Sequence, residues 1–243
     1  MDSGAGAETV LGGGIAAFCE GCEVRDLTLC APLDDGELAK LCSILHSTHV
    51  DAGRIILEEE EPADYVFNVT GGCIRLFKLL PDGRRAITGF LFPGDFLGLT
   101  SRETYAYSAE ALTPAMLCRF PRRKLEGLFE EMPKLERRLL GMASNELAAA
   151  QDQMVVLGRK AAGEKVASFL LLLSNRQVAR HVDANPVIVP MSRADIADYL
   201  GLTTETVSRT FTQLKTKGWI SLQAQGRVLI RDEEALRDLA EGV

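Results

Sequence analysis

The stretch Met191-Ser-Arg-Ala-Asp-Ile-Ala-Asp-Tyr-Leu-Gly-Leu-Thr-Thr-Glu-Thr-Val-Ser-Arg209, continued by Thr210-Phe-Thr-Gln-Leu-Lys-Thr-Lys-Gly218, decides how the rest of the chain is read. Ser192 with Asp195 three residues on forms a capping box, and Ile196, Tyr199 and Leu200 give the short helix that follows one apolar face. Gly201 ends it. Leu202 packs the turn, Thr203 caps a second helix, and Val207, Phe211 and Leu214 form the inner side of that helix. Thr204, Glu205, Ser208, Arg209 and Thr212 are left outside as one polar strip. Helix, tight turn and helix in this order describe a helix-turn-helix.

Such a unit lays the N-terminal half of its second helix in the major groove of DNA. There an arginine bonds O6 and N7 of guanine and a glutamate accepts from N4 of cytosine. Glu205 and Arg209 are one turn apart and reach neighbouring base steps. The plainer reading is a solvated helix with Glu205 and Arg209 as an i,i+4 ion pair. The flanks weigh against it. Trp219-Ile220-Ser221-Leu222 and Val228-Leu229-Ile230 enclose Gln225-Gly226 as a hairpin wing, and the helical run Glu164–Leu173 and extended Pro186–Pro190 lead into the motif. Lys215 and Lys217 make the strip locally basic, and Lys217 is a candidate phosphate contact.

Further upstream, Leu140, Ala143, Leu147, Ala150, Met154, Leu157 and Ala161 recur at gaps of three and four within 133–162. That is a heptad seam, which predicts one long helix packed against its twin in a homodimer. An amphipathic helix packed on its own domain is the alternative. Before it, 50–127 breaks into short runs such as Arg54–Leu57, Tyr65–Val69 and Ile74–Leu79, separated by glycine- and proline-containing turns. The pattern predicts an antiparallel β-roll with its clearest hairpin at Asp82-Gly83. The region before the roll predicts a helix over Asp35–His46, whose stripe Leu38, Leu41, Cys42 and Leu45 makes Cys42 a core residue.

Cys19-Glu20-Gly21-Cys22, with Cys30 shortly after, brings three thiols onto one short loop that can turn them toward a common centre. Spacing alone does not choose between zinc and an iron-sulfur cluster. A fourth ligand must come from far along the chain, which tilts the choice toward iron-sulfur; buried, inert cysteines are the plain alternative. Cys118, at the end of an apolar strand and followed by Arg119, Arg122, Arg123 and Lys124, is chosen as that ligand because cations would favour its thiolate. Cys73 sits in a strand-like run.

The totals agree with a modular regulator. At 243 residues, 47% hydrophobic and 25% charged, the chain can bury two cores joined by a helix. A net charge of -7 and a pI of 5.1 argue against nucleic acid only if the charge were spread evenly. Met1–Ala17 has no basic residue ahead of an apolar run, and its glycines read as a poorly ordered tail. The longest greasy run, Val166–Leu173, is too short to span a bilayer. A cytoplasmic protein without membrane contact is expected, and six cysteines in a reducing compartment indicate metal or redox chemistry rather than disulfides. The only histidines, His46, His49 and His181, fall near the end of the early helix and outside the roll, so no metal-enzyme triad is built. With no P-loop, dinucleotide fingerprint or Ser-His-Asp grouping either, no enzyme is expected.

Taken together the chain resembles the CRP/FNR family of bacterial transcription regulators over nearly its full length. The segment Met191–Arg209 is similar to the family's DNA-reading motif, with its E-x-x-S-R core at Glu205, Ser208 and Arg209, which in the FNR branch contact a TTGAT-type half-site. Cys19, Cys22 and Cys30 match that branch's N-terminal ligands and Cys118 its central one. The resemblance implies an oxygen-labile [4Fe-4S] cluster that promotes dimerisation and binding to palindromic operators in double-stranded DNA when oxygen is scarce. The spacing from Cys22 to Cys30 is longer than in the best-known members. Ala150 stands where such members carry an acidic seam residue, so the protein without its cluster is expected to dimerise more readily. The cyclic-nucleotide branch needs an arginine and a hydroxyl for the phosphate; this chain has Tyr105-Ala106-Tyr107-Ser108, with Arg102 displaced, and no cyclic nucleotide is expected.

The expected fold is α+β: a cysteine segment at 1–32, a cyclic-nucleotide-binding-like antiparallel roll at 33–132, a dimerisation helix at 133–162, and a winged helix-turn-helix domain at 163–243. RNA polymerase is a further expected partner, with the hairpin at Asp82 the candidate surface despite basic Arg84 and Arg85. A cluster-free regulator, thiol-responsive or constitutive, and a zinc-stabilised dimeric interaction protein are the competing functions.

Overall fold

The computed structural model describes residues 17–243; the glycine-rich tail at 1–16 lies outside the described residues. The chain divides into two compact units. Among the described residues, one comprises 17–76 with 90–144, the other 77–89 with 145–243.

The first unit opens with α1 (Ala17–Glu20) and a turn-rich loop leading to α2 (Asp35–Cys42), which starts at a capping box between Asp34 and Glu37. The helix predicted to reach His46 ends at Cys42. His46 and His49 instead lie on the first strand, because the His46–Val50 run pairs along its length with Ala115–Arg119, and tertiary pairing overrides the local helical period. The strands are β1 (His46–Val50), β2 (Ile55–Leu57), β3 (Tyr65–Gly71), β4 (Ile74–Leu79), β5 (Arg85–Leu91), β6 (Phe96–Leu97), β7 (Ser108–Ala111) and β8 (Ala115–Pro121). They form two four-stranded sheets, in the orders β1-β8-β3-β6 and β2-β7-β4-β5. Leu57, Phe67, Val69, Ile74, Leu97, Ala109 and Leu117 make up the core of the roll.

Two helices follow: α3 (Arg122–Glu131) and α4 (Pro133–Arg159). Leu135, near the start of α4, is fully buried with Leu29, Leu38, Leu41, Phe120 and Leu125 in a second core, on which Cys42 also packs. The predicted seam helix stops short of 162: Ala161 is the N-cap of α5 (Ala162–Val178), with Glu164 reaching back to its backbone N–H. Ala161 therefore leaves the seam. Leu140, Leu147 and Met154 are 67%, 61% and 69% exposed and left uncovered by their own chain, whereas Leu157, 43% exposed, lies beside Gly201.

In the second unit, β9 (Val187–Ile188) pairs with the wing, α6 (Arg193–Leu200) and α7 (Thr204–Thr216) form the helix-turn-helix, and β10 (Ile220–Leu222) with β11 (Arg227–Ile230) form the wing hairpin, giving a sheet ordered β10-β11-β9. The chain ends in α8 (Glu233–Glu241), which sequence reading did not foresee; it packs along α5 through buried Leu236 and Ala240. The hairpin tip between β4 and β5 belongs to this unit. Its Arg85 donates to Asp195 at 2.8 Å and to Asp198 at 3.0 Å, both on α6.

Candidate functional sites

The reading face is built locally. Ser192 Oγ accepts the Asp195 N–H at 3.0 Å while the Asp195 carboxylate accepts the Ser192 N–H at 3.0 Å, which closes the capping box read from the sequence. Gly201 sits at φ 61°, the left-handed conformation that glycine adopts without strain, and it turns the chain sharply into Thr203, whose hydroxyl accepts from the Thr206 N–H. Val207, Phe211 and Leu214 are buried as expected, joined by Thr210, whose hydroxyl donates to the Thr206 carbonyl. Burying such side chains contributes roughly 1.5–3 kcal/mol each and fixes the rotation of α7. Thr204, Glu205, Ser208, Arg209 and Thr212 are all exposed. Glu205 and Arg209 do form the i,i+4 ion pair, at 2.5 Å, but both are mostly exposed and the pair is worth little. Lys217 lies over the Trp219 ring, 4.1 Å from its centroid, at the start of the wing.

The thiol site is assembled from three separate pieces of the first unit. Cys118 lies on the central strand β8, opposite Ser47 on β1 and Asn68 on β3. The loop carrying Cys22 and Cys30 folds over that wall as a succession of turns, with the Arg25 N–H on the Cys22 carbonyl and the Leu33 N–H on the Cys30 carbonyl. Leu29 anchors it in the core, and Leu27 rests against Gly94, where a β-carbon would come within 2.8 Å. Cys19, Cys22, Cys30 and Cys118 all line one cavity of about 260 Å³, together with Leu38, Leu45, Ser47, Asn68, Thr70 and Met116. No three cysteine, histidine or acidic side chains among the described residues stand close enough to hold a single ion as they are.

Electrostatics in the cavity differ from the sequence expectation. Burial pushes the Cys118 thiol up to about 12, and the neighbouring thiols Cys30, Cys22 and Cys42 push in the same direction. The basic residues after it act elsewhere. Arg119 stacks on Tyr65 at 4.7 Å, and Arg122 donates to Glu126 at 2.8 Å and to the Arg102 carbonyl. The cation argument for Cys118 therefore fails: Arg119 faces Tyr65, the other three cations belong to α3, and no cation bears on the thiol, although β8 does deliver the sulfur to the cavity. Burial likewise raises Cys30 to about 11, partly offset by the Thr28 hydroxyl, and the hydrogen bond from Cys42 followed by burial raises Cys19. Cys19, Cys30 and Cys118 are thus held protonated, so metal binding there would release protons and weaken as pH falls.

Three residues whose bearing on the site sequence reading missed lie at the cavity or beside it. Asn68 is 1% exposed, its Nδ2 points at the Cys30 sulfur from 3.8 Å, and its Oδ1 has no partner among the described residues. A polar side chain inside the apolar strand Tyr65–Val69 was the available signal. Arg138 on α4 gives its guanidinium to the loop backbone: Nε donates to the Thr28 carbonyl at 3.1 Å, and Nη2 donates to the Leu27 carbonyl at 2.5 Å and the Asp26 carbonyl at 3.4 Å. Nothing local in sequence marks it. Cys42, expected only in the core, also has its sulfur 3.1 Å from that of Cys19.

The segment Tyr105–Ser108 is hydrogen-bonded within the roll. Tyr105 donates to the Tyr65 carbonyl at 2.8 Å, Tyr107 accepts from the Gly98 N–H, and Ser108 accepts from the Glu59 N–H.

Comparison with known proteins gives matches to both halves of the chain. The model of the Crp-like helix-turn-helix domain matches 164–239 and that of the cyclic nucleotide-binding domain matches 47–132. The chain is 43% identical to the nitrogen fixation regulation protein FixK of Bradyrhizobium diazoefficiens, covering 92% of this chain and 94% of the relative. It is 38% identical to the transcriptional activator protein FnrL of Cereibacter sphaeroides, covering 88% of each. Among solved structures, FixK2 from Bradyrhizobium japonicum is similar with a TM-score of 0.75 and 38% identity, covering 81% of this chain and 97% of that one.

Proposed function

Because the chain belongs to the CRP/FNR family and is a DNA-binding transcription regulator of the FNR and FixK type, we propose that it is an oxygen-responsive activator whose Cys19, Cys22, Cys30 and Cys118 hold an oxygen-labile [4Fe-4S] cluster. In this reading the cluster promotes dimerisation and binding to palindromic TTGAT-type sites at low oxygen. The observation that carries it is the convergence of four thiols, from α1, the loop and β8, on one cavity whose loop is clamped to the dimerisation helix. The donor chemistry fits: the sulfurs are soft, and the buried Asn68 amide faces a sulfur as hydrogen-bond donors to cluster ligands do. When bound, the group supplies an oxygen-sensitive cross-link among these thiols and takes up their negative charge.

The chain's own residues do the rest. Arg138 fixes the loop backbone to α4, so the loop's order and the first turns of that helix depend on each other. Further along, α4 offers Leu140, Ala143, Leu147, Ala150, Met154 and Leu157 to the twin helix of a second chain. A dimer sets two reading helices about one DNA turn apart, roughly 34 Å, and each half-site alone binds weakly. On each half-site Glu205, Ser208 and Arg209 read base edges beside Thr204, while Lys217 meets phosphate. The engagement of Tyr105, Tyr107 and Ser108 within the roll supports the reading that no cyclic nucleotide is bound. RNA polymerase is the partner such an activator addresses, and its place is the cytoplasm.

Protein purified without oxygen is expected to be brown, to contain iron and acid-labile sulfide, to sediment as a dimer and to retard a TTGAT palindrome; air should bleach it and weaken retardation. Zinc without sulfide, or a colourless protein with undiminished DNA binding in air, would replace the sensor with a cluster-free regulator.

A further inference from the structure

Cys42 has no part in the ligand set proposed above, yet it is placed for chemistry with a member of that set. It ends α2 half-buried, and its sulfur lies 3.1 Å from that of buried Cys19 on α1. A disulfide bond holds its sulfurs about 2.05 Å apart, so the two need approach by only about 1 Å to bond. From this contact we propose that Cys19 and Cys42 form a reversible dithiol–disulfide couple that controls whether the cavity has all its thiols.

The oxidant is a peroxide. The more accessible Cys42 attacks the peroxide oxygen to give a sulfenic acid and an alcohol or water. Cys19 then attacks the Cys42 sulfur, the S–S bond forms, and the hydroxyl leaves with the Cys19 proton as water. Two thiols are oxidised by two electrons and one O–O bond is reduced. A small-molecule thiol reverses the step by exchange, itself ending as a disulfide.

The bond would pin α1 to α2 and remove Cys19 from the cavity wall, leaving Cys22, Cys30 and Cys118. Protein in this state could not be reloaded with metal until reduced. That consequence rests on the proposed ligand set; the bond itself does not.

The test uses the full chain, stripped of metal under reductant and treated without oxygen with hydrogen peroxide. Alkylation and peptide mass mapping follow. The expected result is a Cys19–Cys42 cross-linked pair, two hydrogens lighter than the separate peptides, lost in Cys42→Ser and reversed by dithiothreitol. Cys19 joined instead to Cys22 or Cys30, or left alkylated, would overturn the proposal.

Iron and sulfide are then offered to the oxidised protein. Wild type should take them up only after dithiothreitol, whereas Cys42→Ser should take them up at once. Uptake by cross-linked wild type would overturn the control role. If no form takes up iron while the cross-link maps as expected, the cluster reading fails and the couple stands.

Discussion

Glu205, Ser208 and Arg209 stand on successive turns of α7, held by a capping box and a turn glycine close by in sequence. Cys19, Cys22, Cys30 and Cys118 meet only because α1, a loop and β8 are folded against one another. The first arrangement is set by neighbours along the chain and survives small changes elsewhere. The second needs the whole first unit, and each of its parts has a different support: Leu29 in the core, Gly94 under Leu27, Arg138 on the loop carbonyls. On the proposed reading a regulator would gain from that contrast, since the surface that reads DNA would stay constant while the part proposed to sense could come apart.

The largest effect should come from Cys118→Ser. It removes the one thiol that the roll contributes, so iron and sulfide content and low-oxygen retardation of DNA should both be lost. Retained iron would break the comparison, and would make Cys42 the first alternative ligand to test.

Ala150→Asp comes next. Like charges set face to face across the α4 seam cost several kcal/mol, so cluster-free protein, expected to dimerise at micromolar concentration, should sediment as monomer in this variant. Wild type found only as monomer would show that alanine does not relax the seam.

Arg138→Ala should separate the two regions while leaving each intact. Hydrogen bonds from a charged donor contribute about 1.5–3 kcal/mol each, less where solvent reaches them. The loaded variant should keep its iron and its intrinsic DNA contacts, yet dissociate into monomers more readily than loaded wild type. Equal dissociation of the two would remove Arg138 from the coupling.

On the reading face, Arg209→Ala should cost about 1–3 kcal/mol at one base step and relax the preference there, with iron content unchanged. Competition binding with single-base operator variants measures it. The smallest effect is expected from Lys217→Ala, which should weaken all sequences alike and lower the salt dependence of binding by about one counterion. A sequence-specific loss would mean that Lys217, stacked on Trp219, reads a base after all.

The sequence alone was enough for elements whose causes are close together in the chain. The Ser192–Asp195 box, the stop at Gly201, the cap at Thr203, the inner triplet of α7 and the Asp82-Gly83 hairpin were legible because each depends on residues within a turn or two. The heptad stripe of α4 was legible for the same reason, apart from its end, where Ala161 caps the next helix. What depended on distant pairing was not. His46 and His49 joined a strand because β8 was there to pair with them; Arg119 pointed elsewhere because β8 alternates its faces, and the cations after it went into α3; and α8 was not foreseen, although α5 gave it a partner. Arg138 on the loop carbonyls and Cys42 beside Cys19 belong to the tertiary structure alone, and Asn68, legible only as a polar residue in an apolar strand, owes its place at the cavity wall to the fold. Local hydrogen bonding and side-chain period are written in consecutive residues, whereas a dry cavity exists only after burial has brought remote ones together.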